Sequence, residues 1–271
     1  STRVRSSAAS DVYKRQCILC IIPFLIGIII FSFTPFLKVI YYSFIKSQFV
    51  PEFVGFKNYV STMNNQYFRL ALKNSCLLVI HAVIPLVIMA SVIAVYFTEI
   101  YIQNPRMKII YMLPMAVPTA VISVIWRMVF KWNDNCMALD ILFIWKNLGL
   151  CTIFIMSALA SIPKSVYEAA QLDGANRKQI ISKIMFPMAS PVIVFVFLFE
   201  IVNSFKIFRE SYLYYGSDYP PEYAYTLQYY MNNSFSKLNY QNLATSAIFT
   251  TILCTAIVLI LSKLILSLIH I

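Results

Sequence analysis

The residues that could carry out chemistry are few in this sequence, and they lie far apart. His81 stands alone in the body of the chain, which provides neither a histidine-based metal site nor a hydrolytic dyad. Cys17 and Cys20 form a C-x-x-C pair inside an apolar run without a second pair, so we interpret both as small packing residues rather than zinc or redox groups. The five glycines form no phosphate-cradling loop. We therefore predict no catalytic residue, no metal site and no cofactor.

Polar side chains inside apolar segments form the second group of candidates. Such groups are costly in a membrane and are functional candidates by default. Glu200 and Asn203 are three residues apart, so they share a helix face and could line a pathway. Alternatively, Glu200 pairs with Lys206 or with another subunit. Lys146 is interpreted as a residue that extends its ammonium group to the membrane interface.

The composition of the whole chain explains why these groups stand out. The chain has 271 residues, of which 60% are hydrophobic and 12% charged, and its mean hydropathy is +0.72. A soluble domain carries about 25% charged residues, so the composition excludes a soluble enzyme, a disordered chain and a disulfide scaffold. The net charge of +11 is scattered among apolar runs and forms no patch, so we predict no nucleic-acid partner.

Continuous apolar runs predict an all-α polytopic membrane protein with about six transmembrane helices. About 20 apolar residues cross the hydrocarbon core. A signal peptide is the alternative for the first run, but the run is long and lacks a small-residue cleavage site. Positive charges in the loops do not decide the orientation. The predicted spans are residues 17–37, 76–97, 109–130, 141–163, 185–208 and 243–265.

The two ends of the chain are related to each other at the nucleotide level. Residues 266–271 (LSLIHI) can be encoded by CTGTCTCTTATACACATC, and the reverse complement of that string encodes residues 11–16 (DVYKRQ). The string resembles a transposon-end adapter from sequencing libraries. We expect residues 1–16 and 266–271 to be non-native adapter-derived segments flanking a transmembrane domain at 17–265. A genomic sequence that encodes residues 1–16 continuously with the rest would contradict this expectation.

One polar connection, residues 165–187, carries a detailed local pattern. Ser165 followed by Glu168 is a capping box, which predicts that a helix begins at Ser165. The Asp173-Gly174 pair then ends that helix. A second short helix is predicted before Pro187 begins the next span. Val166, Ala169 and Ala170 form a narrow face of small apolar residues on the first helix, which favours close approach to another surface.

The same connection resembles the coupling segment of ABC importer permeases. The family pattern is Glu-Ala-Ala, three residues, Gly, nine residues, Ile, one residue and Leu-Pro. Here it reads Glu168-Ala169-Ala170, Gly174, Ile184 and Phe186-Pro187, with Phe186 in place of Leu. The extended form, with Tyr167 and Asp173-Gly174-Ala175, resembles the carbohydrate branch of the maltose and glycerol-phosphate type. Residues 55–59, 74–75, 113–114 and 125–126 resemble further parts of that branch, so the resemblance covers nearly all of 17–265.

The resemblance implies a cytoplasmic coupling helix between spans 4 and 5, at about residues 165–172. ATP and magnesium would be bound by separate ATPase subunits, and Glu168 would pair with a basic group there. The residues expected to couple the permease to the ATPase are Tyr167, Glu168, Ala169, Ala170, Asp173, Gly174, Ala175, Ile184 and Pro187. Glu200 and Asn203 are the expected residues of the substrate pathway.

The resemblance also implies the surroundings of the chain. It would be a multi-pass subunit of the bacterial cytoplasmic membrane, embedded in lipid beside a second homologous permease. Its other partners would be a cytoplasmic ATPase dimer and an extracytoplasmic solute-binding protein, which the Tyr-, Pro- and Asn-rich residues 209–242 would meet. The substrate would be a sugar or sugar derivative. A peptide or phosphate importer remains an alternative, as do an ion-coupled secondary transporter and an intramembrane enzyme.

Overall fold

The computed structural model describes residues 16, 18–101, 114, 116–130, 137–216 and 218–269. All of the suspected N-terminal adapter segment except Gln16 lies outside these residues. The backbone of 266–269 continues the last helix, and residues 270–271 lie outside. The prediction of an all-α polytopic membrane protein is confirmed within the described ranges, where helices follow one another along the chain and β pairing is limited to an isolated antiparallel bridge between Ile45 and Phe53.

Five helices are long and apolar enough to cross a membrane, and they fall on five of the six predicted spans. They are α1 (Ile18–Phe44), α3 (Gln66–Thr98, with helical backbone to Tyr101), α5 (Ala138–Ala160), α7 (Arg177–Phe205) and α10 (Tyr240–Lys263, with helical backbone to Ile269). The sixth prediction, 109–130, is described only in its second half. There the shorter helix α4 runs from Thr119 to Phe130, and residues 109–113 lie outside the described part.

The shorter helices fill the connections between the spans. They are α2 (Lys57–Asn64), α6 (Lys164–Leu172), α8 (Arg209–Tyr215) and α9 (Leu227–Ser236), with a 3-10 turn at Glu222–Ala224. The connection between the first two predicted spans, residues 38–75, is therefore mostly helical. Apolar runs mark only the part of a helix that lipid surrounds, and the helical backbone of α1 and α3 continues past them. Asn65 begins α3, because its side chain accepts from the backbone N–H of Tyr67 at 2.9 Å.

Three spans contain a π-helical turn just before a proline. Proline lacks the N–H of the normal helix bond, and its ring collides with the carbonyl four residues earlier. In each span the residue before the proline donates instead to the carbonyl five residues back, which widens the helix for one turn. The turns and the prolines that follow them are Ile29–Phe33 with Pro35, Val79–Val83 with Pro85, and Ile181–Met185 with Pro187.

The core forms where α3, α5 and α7 pack against one another, with α10 along α7 and α1 along α10. The buried face of α3 is built largely from small residues, which allow the helix backbones to approach closely. Its fully buried alanines are Ala71, Ala82, Ala90 and Ala94. The first half of α1 is largely exposed within the described residues, since the apolar window of that span is 0% buried.

Residues 209–242, which we expect to meet a solute-binding protein, fold onto the ends of the spans. The segment contains α8, the 3-10 turn and α9, and Tyr214, Tyr215, Tyr225, Tyr229 and Tyr230 are buried in it. Burial raises the pKa of Tyr225 and of Tyr229 to about 12, so these phenols stay protonated at neutral pH. The large apolar rings of the tyrosines can pack on one another, which is why a segment rich in polar residues is packed so closely.

Asn74 of α3 connects residues 209–242 to the spans through hydrogen bonds. Its side-chain amide donates to the backbone carbonyls of Glu222 at 2.5 Å and of Tyr225 at 3.0 Å. The neighbouring Ser75 hydroxyl accepts from the backbone N–H of Leu227 at 3.0 Å. Two consecutive residues of a span thus hold a segment about 150 positions later in the chain.

We expect Asn74→Leu to destabilise the protein, because two carbonyls would lose their donor in a buried setting. A lost bond that leaves a buried group unsatisfied costs about 1–3 kcal/mol. A lower midpoint of thermal unfolding, and faster proteolysis near residues 216–222, should be seen in the purified importer complex. Asn64→Leu is the control, because Asn64 is exposed. Equal thermal stability of the two variants would show that Asn74 does not hold the segment.

Candidate functional site

The segment that resembles a coupling helix is a surface helix with a tightly defined end. After α6, Gly174 adopts a positive φ of 79°. The backbone N–H of Gly174 donates to the carbonyl of Gln171 at 3.0 Å, and that of Ala175 donates to Ala170 at 2.9 Å. This pair of bonds is the Schellman arrangement, which requires a left-handed residue at the position of Gly174. The predicted break at Asp173-Gly174 is therefore present.

The start of α6 differs from the predicted one. The helix begins at Lys164, and its N-cap is Pro163, with no capping bond from a side chain. The predicted capping box at Ser165 and Glu168 is wrong, because the fixed φ of Pro163 starts the helix one residue earlier and places Ser165 inside it. A capping box is present at Asn176 instead, where the Asn176 side chain accepts from the backbone N–H of Gln179 at 3.0 Å and the Gln179 side chain accepts from Asn176 at 2.8 Å.

The faces of α6 divide into an anchored side and an exposed side. Val166 and Tyr167 pack against the main core. Glu168, Ala169 and Gly174 are exposed, and Leu172 is 89% exposed. The predicted face of Val166, Ala169 and Ala170 is thus split, since Val166 turns inward while Ala169 faces out. An exposed leucine beside an exposed carboxylate gives α6 a small apolar and acidic surface.

The second half of the segment belongs to a transmembrane helix. A separate short helix was expected after the turn, but α7 runs without interruption from Arg177 to Phe205. Ile184 lies in the π-helical turn of α7, and Pro187 follows that turn. The π-helical turn lets the helix continue through the proline, which is why the expected break did not occur. The turn at Gly174 therefore joins α6 directly to a span.

Glu200 is fully enclosed in the core. Its side chain is 0% exposed, and its carboxylate accepts from the Cys151 thiol at 3.4 Å and from the Asn203 amide at 3.1 Å. Asn203 also donates to the side-chain oxygen of Asn147 at 3.3 Å. The suggested pairing of Glu200 with Lys206 is not found. The assignment of Glu200 and Asn203 to the substrate pathway stays a prediction. Of these two residues, Asn203 borders a cavity.

Lys146 within α5 and Lys206 at the end of α7 differ in their partners. Lys146 forms an ion pair with Glu210 of α8, and its extension to the membrane interface stays a prediction. Lys206 is exposed and makes no ion pair within the described residues. Both lysines border a cavity of about 130 Å³, together with Phe143, Asn147, Asn203, Ile207 and Glu210.

A larger groove lies between α7, α9 and α10. Its volume is about 540 Å³, and Lys206 borders it as well. The other polar residues along it are Gln228, Thr250, Thr251 and Thr255, while the rest of its wall is apolar. Sequence reasoning missed this groove, although the threonines recur at helical spacing in α10 and could have indicated a polar stripe.

A third cavity, of about 580 Å³, lies beside the π-helical turn of α3. His81 and Asp140 both border it, and His81 Nδ1 is 3.9 Å from Asp140 Oδ2. The His81 side chain is 58% exposed, so His81 is not packed in the core. No group of three potential metal ligands comes together within the described residues.

Comparison with known proteins identifies the family. Residues 106–270, more than half of the chain, match the family described as binding-protein-dependent transport system inner membrane component. The arabinooligosaccharides transport system permease protein AraP of Halalkalibacterium halodurans is 27% identical, over 77% of this chain and 74% of the relative. The trehalose/maltose transport system permease protein MalF of Thermococcus litoralis is 24% identical, over 90% of this chain and 89% of the relative.

Solved structures support the same fold. A bacterial ABC transporter involved in the import of the acidic polysaccharide alginate matches 94% of this chain and 97% of the solved chain, with a TM-score of 0.78 and 21% identity. A second structure, of the bacterial alginate ABC transporter in complex with an alginate pentasaccharide-bound periplasmic protein, matches with a TM-score of 0.76 and 22% identity. The chain is therefore a multi-pass permease subunit of the inner membrane rather than an enzyme, and it belongs to the family of binding-protein-dependent transport system inner membrane components.

Proposed function

We propose that this chain translocates a sugar or sugar derivative across the cytoplasmic membrane by alternating access, driven by ATP hydrolysis in separate subunits. The transmembrane domain of this proposal is residues 17–265, and it works beside a second homologous permease. ATP and magnesium are bound by a cytoplasmic ATPase dimer, and this chain itself needs no cofactor. An extracytoplasmic solute-binding protein delivers the substrate.

One observation carries the mechanical part of the proposal. The exposed helix α6 is joined by the Gly174 turn to α7, which is continuous over 29 residues, or roughly 44 Å at 1.5 Å per residue. The far end of α7 borders the groove through Phe205, and Lys206 follows directly. A displacement of α6 by the ATPase would therefore reach the groove along a single helix. Val166 and Tyr167, packed on the core, tie α6 to the same body.

The choice of a sugar rests on the relatives and on the groove. The two relatives named above serve arabinooligosaccharides and trehalose or maltose. The groove volume of about 540 Å³ lies in the range of small-molecule sites, roughly 300–1,000 Å³. Hydroxyl and amide groups along an otherwise apolar wall suit a ligand with both hydroxyls and apolar ring faces. The peptide and phosphate alternatives have no such support.

The test is uptake by the complete importer in proteoliposomes, with the solute-binding protein outside. Internal ATP and magnesium should be required for uptake of saccharides, and an ionophore that collapses ion gradients should leave uptake unchanged. ATP-independent uptake that stops with the ionophore would contradict the proposal and favour a secondary transporter. Uptake of peptides or phosphate in place of saccharides would show that the sugar assignment is wrong.

A further inference from the structure

The groove between α7, α9 and α10 contains one positive charge and no carboxylate. Its wall consists of twelve residues, and Lys206 is the single ionisable side chain among them apart from the Cys254 thiol. An uncompensated charge beside an apolar wall favours a ligand of opposite charge, because partial exclusion of water strengthens the attraction. The groove therefore differs from a site built only for a neutral ligand.

The carboxylates nearest to Lys206 along the chain are already engaged. Glu210 pairs with Lys146, and the carboxylate of Glu200 is held by Cys151 and Asn203. Lys206 follows the last residue of α7 as its C-cap, where its backbone N–H donates to Asn203 and Ser204. The backbone at Lys206 is thus fixed by the helix end, while the ammonium group makes no ion pair within the described residues.

The neutral polar residues of the groove can still accept hydrogen bonds. The hydroxyls of Thr250 and Thr251 donate to the backbone carbonyls of Ser246 and Ala247, both at 2.8 Å. The Gln228 amide donates to the carbonyl of Phe205 at 3.1 Å. Each of these side chains uses an N–H or O–H group in its bond to the backbone. Its oxygen can therefore still accept a hydrogen bond from a ligand hydroxyl. The groove therefore combines acceptors for hydroxyls with one lysine ammonium group.

We propose that the groove binds an anionic saccharide, with Lys206 pairing with its carboxylate, phosphate or sulfate group during passage. This inference rests on the proposed function and narrows its substrate class. Gln228 and the threonines of α10 accept from the sugar hydroxyls, and the apolar wall contacts the ring faces. Lys206 is a specificity-determining residue, because it favours a charged saccharide over a neutral one of the same size.

The first experiment offers the reconstituted importer two labelled saccharide fractions. A mixed polysaccharide hydrolysate is separated by anion exchange into neutral and acidic oligosaccharides, and ATP-dependent uptake of each fraction is measured. Uptake of the acidic fraction is expected. Uptake confined to the neutral fraction would overturn this inference and leave the proposed function standing. Uptake of neither fraction would count against the proposed function itself, and the inference would fail with it.

The second experiment tests Lys206 directly. A hydrogen bond to a charged group contributes about 1.5–3 kcal/mol, so Lys206→Gln should lower uptake of the acidic fraction by tenfold or more, and Lys206→Arg should retain most of it. Lys38→Gln is the matched control, since Lys38 is an exposed lysine of α1 outside the groove. Equal uptake by Lys206→Gln and the control would overturn the assignment.

A negatively charged lipid headgroup is the competing partner for Lys206. The same uptake assay is therefore run in vesicles of phosphatidylcholine alone and in vesicles that also contain phosphatidylglycerol. A loss of acidic-fraction uptake in Lys206→Gln in both kinds of vesicle supports the saccharide. A loss that occurs only in vesicles with phosphatidylglycerol would overturn the proposal in favour of a lipid contact.

Discussion

Replacing Gly174 with leucine is expected to abolish uptake while leaving membrane insertion intact. Gly174 has a φ of +79°, a conformation that costs a residue with a Cβ roughly 1–2 kcal/mol. The Schellman bonds of Gly174 and Ala175 depend on that conformation. Relief of the strain would change the angle between α6 and α7, and a displacement of α6 would no longer reach the span in the same direction. We expect at least a hundredfold fall in ATP-dependent uptake.

The chain offers controls that separate this effect from added bulk. A Cβ at Gly174 would have no atom within 4 Å, and the same holds for Gly27 of α1, which has no positive φ. Gly27→Leu should therefore leave uptake close to that of the unmodified importer. Asn tolerates the left-handed conformation better than other residues, so Gly174→Asn should keep a substantial part of the activity. Normal uptake by Gly174→Leu would refute the role of the turn.

Reversing the charge at Glu168 is expected to uncouple ATP hydrolysis from transport. Glu168 is exposed, and its carboxylate makes no hydrogen bond or ion pair within the described residues. Substitution at such a surface site usually changes folding stability by no more than about 0.5 kcal/mol. An arginine there would face the basic ATPase group that we expect to bind the carboxylate, and like charges at an interface cost several kcal/mol. Uptake by Glu168→Arg should fall to background.

Graded variants and rescue make the charge argument specific. Glu168→Gln keeps the size of the side chain and removes only the charge, so its uptake should lie between those of the unmodified importer and Glu168→Arg. A second charge reversal, from basic to acidic in the ATPase groove, should restore uptake to Glu168→Arg. Equal uptake by Glu168→Arg and the unmodified importer would remove Glu168 from the coupling contact.

The sequence alone was sufficient for features that depend on neighbouring residues. Apolar runs located five spans to within several residues at most ends, because a membrane requires long uninterrupted apolar helices. The turn at Gly174 was predictable because a left-handed helix end strongly favours glycine. Charge counts could not orient the chain, and the identities within 165–187 carried the family assignment instead.

Prolines show where local reasoning fails. Pro187 was read as the point where a span begins, yet α7 already starts at Arg177 and passes through that position. Sequence identifies the missing N–H of a proline, but whether the helix ends, kinks or widens depends on what packs around it. The same limit applies to the start of α6. Pro163 and Ser165 lie two residues apart and could each begin the helix, and the structure has Pro163 as the N-cap.

The tertiary structure alone decided which distant parts of the chain are in contact. In the sequence, Asn74 marked only the beginning of a span. In the structure its side-chain amide donates to the backbone carbonyls of Glu222 and Tyr225. Glu200 was a polar residue without an identified partner in the sequence, and packing placed the Cys151 thiol and the Asn203 amide against its carboxylate. The sequence determined the spans and the turn at Gly174, because lipid and backbone geometry act on neighbouring residues. The partners of each polar side chain and the position of the groove were decided by helix packing, which brings together residues that no local pattern connects.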